Sequence, residues 1–178
     1  MTDKDELLKQ RGVLLSSEIN EKEATEVIAR LLFLQRQSTN TPIFLYINSP
    51  GGSVTSGLAI IQTIESLKPE VNTRCIGQAH SMAAIILASG SPGKRSAVTN
   101  AIIAFSEIVS VGPISPDKRV YLEKMKTALV EILLKRTRLS AAQLKDLFAS
   151  SRPLTPAEAR DAGIVDHIFE WGNWNSSV

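Results

Sequence analysis

The chain has 178 residues, of which 43% are hydrophobic and 21% charged, enough for one globular domain with a sizeable core. A formal net charge of +2 without a long basic run argues against a nucleic-acid partner, and no stretch has the ~18 uncharged apolar residues of a membrane span. A single cysteine, Cys75, and two histidines exclude an intramolecular disulfide and argue against a metal site, so we expect no cofactor.

The N-terminal sequence MTDKDELLKQRG is charged and lacks the apolar centre of a signal peptide, so we expect a cytoplasmic protein, or one in the matrix or stroma of an organelle. Apolar runs bounded by turn residues predict strands, in chain order, over residues 12–19, 43–47, 71–77, two within 94–111, and 164–171. Apolar residues at three-four spacing predict helices over residues 21–37, 53–68, 81–90, 117–137, 140–151 and 155–163.

Strands that alternate with helices in this way imply parallel βαβ units, so the predicted fold class is α/β. Asn20, Ser140 and Thr155 stand where helix N-caps are expected, and Thr155 with Glu158 has the spacing of a capping box. The continuous apolar run over residues 43–47 predicts a strand covered on both faces. Cys75 lies in the apolar segment TRCIG and is predicted to be buried rather than reactive.

Two strand-to-helix junctions have unusual sequences, and in open α/β folds ligands bind where strands end and helices begin. The junction INSPGGSV contains two glycines, which can bring a bare backbone N–H into a cleft. The junction IGQAHSM places Ser81 at a helix start, where free amides favour a developing oxyanion. The N–H groups of Gly52 and Met82 would then form an oxyanion hole beside a serine nucleophile. Each junction alone is weak evidence, because Pro-Gly-Gly is usually a turn and such a serine is usually an N-cap.

The segments YINSPGGSVTSGLAI, IGQAHSMAA, GKR and LTPAEARDAGIVD together resemble the proteolytic subunit of the ATP-dependent Clp protease, over about residues 7–168. The resemblance implies a crotonase-like β/α spiral with parallel βαβ units and a protruding helix–strand handle. It implies one domain over residues 1–178, with an N-terminal segment at 1–10 and a polar tail at 170–178. It also implies serine peptidase subunits in two stacked heptameric rings around a chamber, which a ring-shaped ATPase supplies with unfolded chains.

The same resemblance gives individual residues a role. Ser81 falls on the family's nucleophile, and Gly52 and Met82 fall on its oxyanion amides. Phe44 and Tyr46 match aromatic positions of the hydrophobic pocket that docks the ATPase. The alternative for these two rings is a strand packed in the core.

Two members of the family's catalytic triad are replaced in this chain. The family's histidine falls on Ser106, counted from Asn100, and its aspartate falls on Ser151, three residues before the leucine of LTPAEA. A serine nucleophile needs a base, and neither replacement accepts a proton as imidazole does. The segment after Ser106, EIVSVGPISPDK, also contains two prolines, which remove backbone donors for strand pairing. We therefore expect a non-catalytic structural or regulatory subunit in a homo- or hetero-oligomeric ring of Clp proteolytic subunits.

Two other functions stay open. With a rearranged base, which would be Glu107, Lys118 or Lys124, the chain would be an active serine endopeptidase. A lysine would have to be desolvated to be neutral, and a carboxylate would need a raised pKa. His80 precedes the candidate nucleophile, but neighbouring side chains at a helix start are expected to point in different directions. The third function is that of a crotonase-like acyl-CoA enzyme, in which paired amides bind a thioester oxygen.

Overall fold

A computed structural model of the chain describes residues 3–107 and 115–170. The helices in these ranges are α1 (Asp3–Lys9), α2 (Glu21–Gln37), α3 (Val54–Ser66), α4 (Met82–Ala88), α5 (Pro116–Arg136), α6 (Ala141–Ser150) and α7 (Pro156–Asp161). The strands are β1 (Gly12–Leu15), β2 (Ile43–Ser49), β3 (Val71–His80), β4 (Ser96–Val98), β5 (Ile102–Ala104), β6 (Pro153–Leu154) and β7 (His167–Phe169).

The described strands form one sheet whose main path is parallel. Strands β1, β2, β3, β4 and β7 are neighbours in that order, and each adjacent pair is parallel. Strand β3 is long enough to have two successive partners: its middle pairs with β4 and its C-terminal end pairs with β5, both in parallel. The predicted α/β fold with parallel strands is therefore confirmed, and helices α2, α3 and α4 connect the four strands from β1 to β4.

Strand β6 was not predicted from the sequence. It has two residues and pairs with β5 alone, in antiparallel register, with Ala104 opposite Pro153 and Ile103 opposite Leu154. A proline is tolerated there because the strand lies at an edge, where a missing N–H costs no ladder hydrogen bond. This short pairing places the segment that follows α6 beside the end of β5, and it thereby positions residues of the candidate site.

The two faces of β2 differ in burial. Ile43, Leu45 and Ile47 are fully buried, whereas Phe44 and Tyr46, which point to the other side of the sheet, are only half-buried. The prediction that this strand is covered on both faces is therefore wrong within this chain. A continuous apolar run is typical of a doubly covered parallel strand, but here its alternate positions carry aromatic rings on a partly exposed surface.

Helix α4 is the most deeply buried helix of the described fold. All seven of its residues are buried, and it packs against β3 and α3. Three small residues, Ala83, Ala84 and Ala88, allow this close packing. The N-terminal end of α4 is thereby fixed at the edge of the sheet where β3 ends.

The predicted helix caps are confirmed. Asn20, Ser140 and Thr155 each accept a hydrogen bond from the backbone N–H three residues later. Thr155 and Glu158 form the predicted capping box, since the Glu158 carboxylate in turn accepts from the Thr155 N–H at 2.8 Å. Helix α3 begins after Ser53, the first residue of its predicted range, and Ser53 is its N-cap.

A largely buried ion pair joins β4 to the segment before β7. The Arg95 guanidinium donates to both carboxylate oxygens of Asp166, at 2.9 and 2.7 Å, and the Arg95 backbone N–H donates to the same carboxylate at 3.0 Å. Arg95 also donates to the carbonyls of Ala88 and Arg136, so it ties α4 and α5 to the sheet. Burial alone would raise the pKa of Asp166, but the hydrogen bonds and charge of Arg95 outweigh burial and lower this pKa.

Helix α5 has 21 residues, and its N-terminal half is not packed in the core. Its first buried residue is Leu129. Pro116 lies in the first turn, where its missing N–H costs no helix hydrogen bond, so it begins a helix rather than interrupting a strand. Residues 108–114, which include the end of the predicted strand before this helix, and the tail beyond residue 170 lie outside the described residues.

None of the helices in residues 3–107 and 115–170 is long and apolar enough to cross a lipid bilayer.

Candidate functional site

Ser81 is the single residue between β3 and α4. Strand β3 ends at His80 and α4 begins at Met82. The Ser81 backbone has φ 50° and ψ −119°, a positive-φ conformation that a side chain adopts only under strain. Its N–H donates to the carbonyl of Ala104, at the end of β5, at 2.7 Å. The strained turn therefore holds the serine at the carboxyl edge of the sheet.

Gly51 allows the loop after β2 to approach this turn closely. Its φ is 89°, and a Cβ added to it would lie 2.5 Å from the His80 carbonyl oxygen and 2.9 Å from the Ser81 Cβ. Real Cβ atoms essentially never come this close to other heavy atoms. The Pro-Gly-Gly segment is therefore more than a surface turn, because a glycine is required for backbone contact with the serine turn.

The N–H groups of Gly52 and Met82 are both available as donors. Met82 is the first residue of α4, so its N–H has no acceptor within the helix. Gly52 forms an isolated parallel bridge with Ile19, which exchanges hydrogen bonds of 2.7 Å with the residues on either side of Gly52. Neither the Gly52 N–H nor the Met82 N–H donates to a described residue. Their role as an oxyanion hole stays a prediction, and it requires that both N–H groups are free to donate.

The three serines that the resemblance assigns to the family's triad positions line one cavity. This cavity has a volume of about 280 Å³, and its polar lining consists of Ser81, Ser106, Ser151 and His80. Its apolar walls are Pro50, Ile102, Ala104, Phe105 and Pro153. The antiparallel pairing of β5 with β6 accounts for the convergence, because Ser106 follows the end of β5 and Ser151 precedes the start of β6.

The Ser81 hydroxyl has no hydrogen-bond partner among the described residues, and the cavity lining contains neither a carboxylate nor a lysine. His80 is the one ionisable side chain among the described residues of the lining. Its Nε2 is buried and has no described hydrogen-bond partner. Both His80 and Ser81 line this cavity, but no hydrogen bond joins their side chains in the described structure, as expected for neighbours at a helix start.

The other candidate bases lie elsewhere in the described structure. Glu107 lines a neighbouring, largely apolar cavity of about 260 Å³, together with Phe148. Lys124 lines a shallow groove on the surface of α5, and Lys118 lies in the exposed first turn of that helix. Within this chain, none of the three lines the cavity of Ser81.

Phe44 and Tyr46 form a surface with Arg74 on the outer face of the sheet. The two rings are stacked with centroids 6.5 Å apart, and the Arg74 guanidinium lies 4.6 Å from the Phe44 centroid and 5.7 Å from that of Phe169. Such distances allow cation–π attraction. Both rings are half-buried rather than packed in the core. Docking of an ATPase here stays a prediction.

Cys75 is fully buried on β3, and burial raises the pKa of its thiol to about 11, although a hydrogen bond from the Gly77 backbone opposes the rise. The prediction of a buried, unreactive cysteine is therefore confirmed for its burial. Within the part of the chain that the structure describes, no three His, Cys, Asp or Glu side chains come together as metal ligands.

These features define an α/β protein with a serine on a strained strand-to-helix turn, next to a glycine loop that closely approaches it. A comparison with protein-family models gives the family: the Clp protease model matches residues 1–171. The chain belongs to the Clp protease family. The expected family and fold class are thereby confirmed, and the family is one of serine peptidases.

Sequence reasoning missed one feature of the site, the strand β6. The segment Pro153–Leu154 is too short to give a strand pattern, so the approach of Ser151 to Ser106 followed from the family resemblance alone.

Proposed function

We propose that the chain is a non-catalytic structural or regulatory subunit of a Clp-type peptidase ring. The observation that supports this most strongly is the lining of the Ser81 cavity, which includes Ser106 and Ser151, the residues that the family resemblance places at the positions of the base and of the residue that orients it. A serine attacks an amide efficiently only when a nearby group accepts its proton, and a second or third hydroxyl does not do so. The chain has a serine at the position of the nucleophile, but it has no proton-accepting side chain at the position of the base.

A serine peptidase with a rearranged base is the second candidate, and one observation favours it. His80 brings an imidazole to the same cavity as Ser81, with a buried Nε2 that has no described partner. Glu107, Lys118 and Lys124 line other surfaces, so an active enzyme built from this chain alone would use His80. Against it stand the absence of a hydrogen bond from the Ser81 hydroxyl to a described residue, and the lack of a lining carboxylate to orient an imidazole.

Labelling with a fluorophosphonate separates these two functions. If the chain is non-catalytic, wild type will not be labelled above the level of Ser81→Ala. If it is a peptidase, labelling will be stoichiometric, will be lost in Ser81→Ala and will fall in His80→Gln. The matched control is His167→Gln, because the Nε2 of His167 lies 3.0 Å from the Gly93 carbonyl oxygen, outside the cavity. Stoichiometric labelling accompanied by peptide hydrolysis would refute the proposal.

The third function, that of an acyl-CoA enzyme, would use the N–H groups of Gly52 and Met82 to bind a thioester oxygen. A hydratase assay with a short enoyl-CoA tests it directly. We expect no turnover, and turnover that depends on these amides would replace the proposal above.

We propose further that the chain assembles into a ring, alone or with other Clp proteolytic subunits, as members of the family typically do. Helix α2 exposes 42% of Leu32 and 49% of Phe33, and adjacent exposed apolar side chains of this kind are suited to burial in an interface. Native mass spectrometry of the purified protein, with and without candidate paralogues, tests the assembly. A ring in either sample is the expected result, and a monomer in both would contradict it.

The surface of Phe44, Tyr46 and Arg74 is the proposed docking site for a ring-shaped ATPase. Its half-buried stacked rings offer apolar contact area, while their alternation with core residues on β2 keeps them on the outer face of the sheet. Tyr46→Ala is expected to weaken binding of a cognate ATPase without disturbing ring assembly. An unchanged affinity would exclude this surface.

A further inference from the structure

Strand β7 brings the end of the described chain onto the outer face of the sheet that carries Phe44. It pairs with β4, and β4 in turn pairs with β3. Ser96 of β4 is opposite both Arg74 and His167, and its small side chain leaves room between β3 and β7 on this face. The Arg74 guanidinium therefore lies close to rings from two separate strands, 4.6 Å from the centroid of Phe44 and 5.7 Å from that of Phe169.

Phe169 thus extends the surface that is proposed above as a docking site. We call the extended set of residues the aromatic surface: Phe44, Tyr46, Arg74 and Phe169. Its three rings are only half-buried, so apolar area on them is open to a binding partner. Phe169 is also the last residue of β7, and the chain therefore leaves the sheet at this surface.

The sequence that follows Glu170 has a composition that suits the aromatic surface. It reads WGNWNSSV over residues 171–178, with both tryptophans of the chain and no charged side chain. An aromatic side chain buries about 150–250 Å² in a contact, and tryptophan is the ring that attracts a cation best. A short uncharged segment with two such rings is chemically matched to three aromatic rings and a guanidinium.

The length of this segment matches the size of the surface. The ring centroids of Phe44 and Tyr46 are 6.5 Å apart. An extended chain spans about 3.3–3.6 Å per residue, so Trp171 and Trp174 can lie up to about 10 Å apart and contact two rings at once. A short tether also gives the segment an effective concentration in the millimolar range, so even a weak contact with the surface is populated.

We propose that residues 171–178 bind to the aromatic surface of their own chain, with the tryptophans against the rings of Phe44 and Tyr46. The attachment of the segment next to Phe169 favours its own surface over that of another copy. The regulatory consequence rests on the proposed function: a ring-shaped ATPase that docks on these rings has to displace the segment first. Its apparent affinity is then lowered in proportion to the fraction of surfaces that are uncovered.

Tryptophan fluorescence reports on this segment alone, because the chain has no other tryptophan than Trp171 and Trp174. In the native full-length protein, acrylamide should quench it at least about two-fold less than in the urea-unfolded protein. Tyr46→Ala should bring quenching close to the unfolded level. The matched control is Tyr121→Ala, on the exposed half of α5, which should quench like wild type. Equal quenching of native and unfolded wild type, or no effect of Tyr46→Ala, would overturn the proposal.

A tryptophan-free variant tests the contact from the side of the surface and changes no residue of the described fold. Trp171→Ser combined with Trp174→Ser should uncover the rings, so that the dye anilinonaphthalene sulfonate binds at least about two-fold more than to wild type. Adding Tyr46→Ala to this variant should remove the gain. Unchanged dye binding on loss of the tryptophans would contradict a covered surface.

The same tryptophan-free variant decides whether the segment binds its own chain or a neighbouring copy. Refolded in excess together with Tyr46→Ala, it supplies intact surfaces but no tryptophan signal. Quenching that stays at the level of Tyr46→Ala alone supports contact within one chain. Renewed protection of the tryptophans in the mixture would overturn that assignment in favour of a neighbouring copy.

The consequence for the ATPase is measured separately. A cognate ATPase should bind the tryptophan-free variant at least about two-fold more tightly than wild type, and an unchanged affinity would show that the segment does not compete. Acrylamide quenching needs no ATPase, so it tests the contact of the segment by itself. Equal binding of the ATPase to wild type and Tyr46→Ala would instead refute the docking site of the proposed function.

Discussion

Replacing Asp166 by asparagine removes the charge that the buried Arg95 guanidinium faces. The two side chains are only 9% and 17% exposed, and Arg95 donates to both oxygens of the carboxylate. Removing one partner of a buried pair costs about 3–5 kcal/mol, because the other charge is left uncompensated. Arg95 keeps its hydrogen bonds to the carbonyls of Ala88 and Arg136, so we expect a loss near the lower end, about 3 kcal/mol.

Urea unfolding of wild type and variants at one protein concentration measures this loss. The matched control is Asp161→Asn, which removes the carboxylate of an exposed pair with Arg160 at 3.5 Å. An exposed pair contributes about 0–1 kcal/mol, so the control should be close to wild type. If Asp166→Asn costs no more than Asp161→Asn, the ion pair does not anchor β4 to the segment before β7, and the reasoning fails.

The pH dependence of this loss provides a second test. The pKa of Asp166 is lowered in the folded protein. The contribution of its carboxylate to the free energy of unfolding is therefore complete above the unfolded pKa of about 3.9, and it is lost as the pH falls through the folded pKa. The difference in unfolding free energy between wild type and Asp166→Asn should therefore be constant from about pH 7 to about pH 5 and should shrink below about pH 4. A difference that shrinks as the pH rises would contradict the assigned sign.

Three further predictions concern single sites. Gly51→Ala should destabilise the fold by at least about 1 kcal/mol more than Gly93→Ala. Both glycines have positive φ, but an added Cβ would collide with backbone atoms only at Gly51. Equal losses of unfolding free energy in the two variants, measured by urea unfolding, would refute this contact. Cys75, whose pKa is raised to about 11, should react with Ellman's reagent only after unfolding, and full reaction of the native protein would show that it is accessible. Glu158 should titrate with a pKa of about 2 in carboxyl ¹³C spectra, because the Thr155 N–H, the Arg152 guanidinium and the Thr155 hydroxyl donate to its carboxylate. Arg152→Ala should raise this pKa. A wild-type pKa near 4.3 would contradict these hydrogen bonds.

The alternation of strands and helices could be predicted because most elements carry their own local signal. The apolar runs of β2 and β3 and the three-four spacing of α2 are readable without knowledge of the fold. Strand β3 extends three residues beyond its predicted end at Gly77, because its last residues pair with β5. The partner, and not the local sequence, determines the length of that strand.

The site was predictable only in part for the same reason. Ser81, Met82 and Gly52 lie next to turn residues, so their positions at the ends of strands could be inferred from local sequence. The meeting of Ser106 with Ser151 depends on an antiparallel contact of two residue pairs, Ile103 with Leu154 and Ala104 with Pro153, and so short a pairing leaves no periodic pattern.

The retained parts of the site do not by themselves argue for catalysis. Gly51 is required by packing alone, since any side chain there would collide with the backbone of His80. The positions of Ser106 and Ser151 carry no such constraint, because their hydroxyls bind no described residue, and a base could be lost there without cost to the fold. Ser81 has φ 50° and ψ −119°, a strained conformation outside the left-handed helical region that Ser151 adopts, and its hydroxyl binds no described residue. This strain supports the hypothesis that the Ser81 hydroxyl contacts a ligand in its cavity.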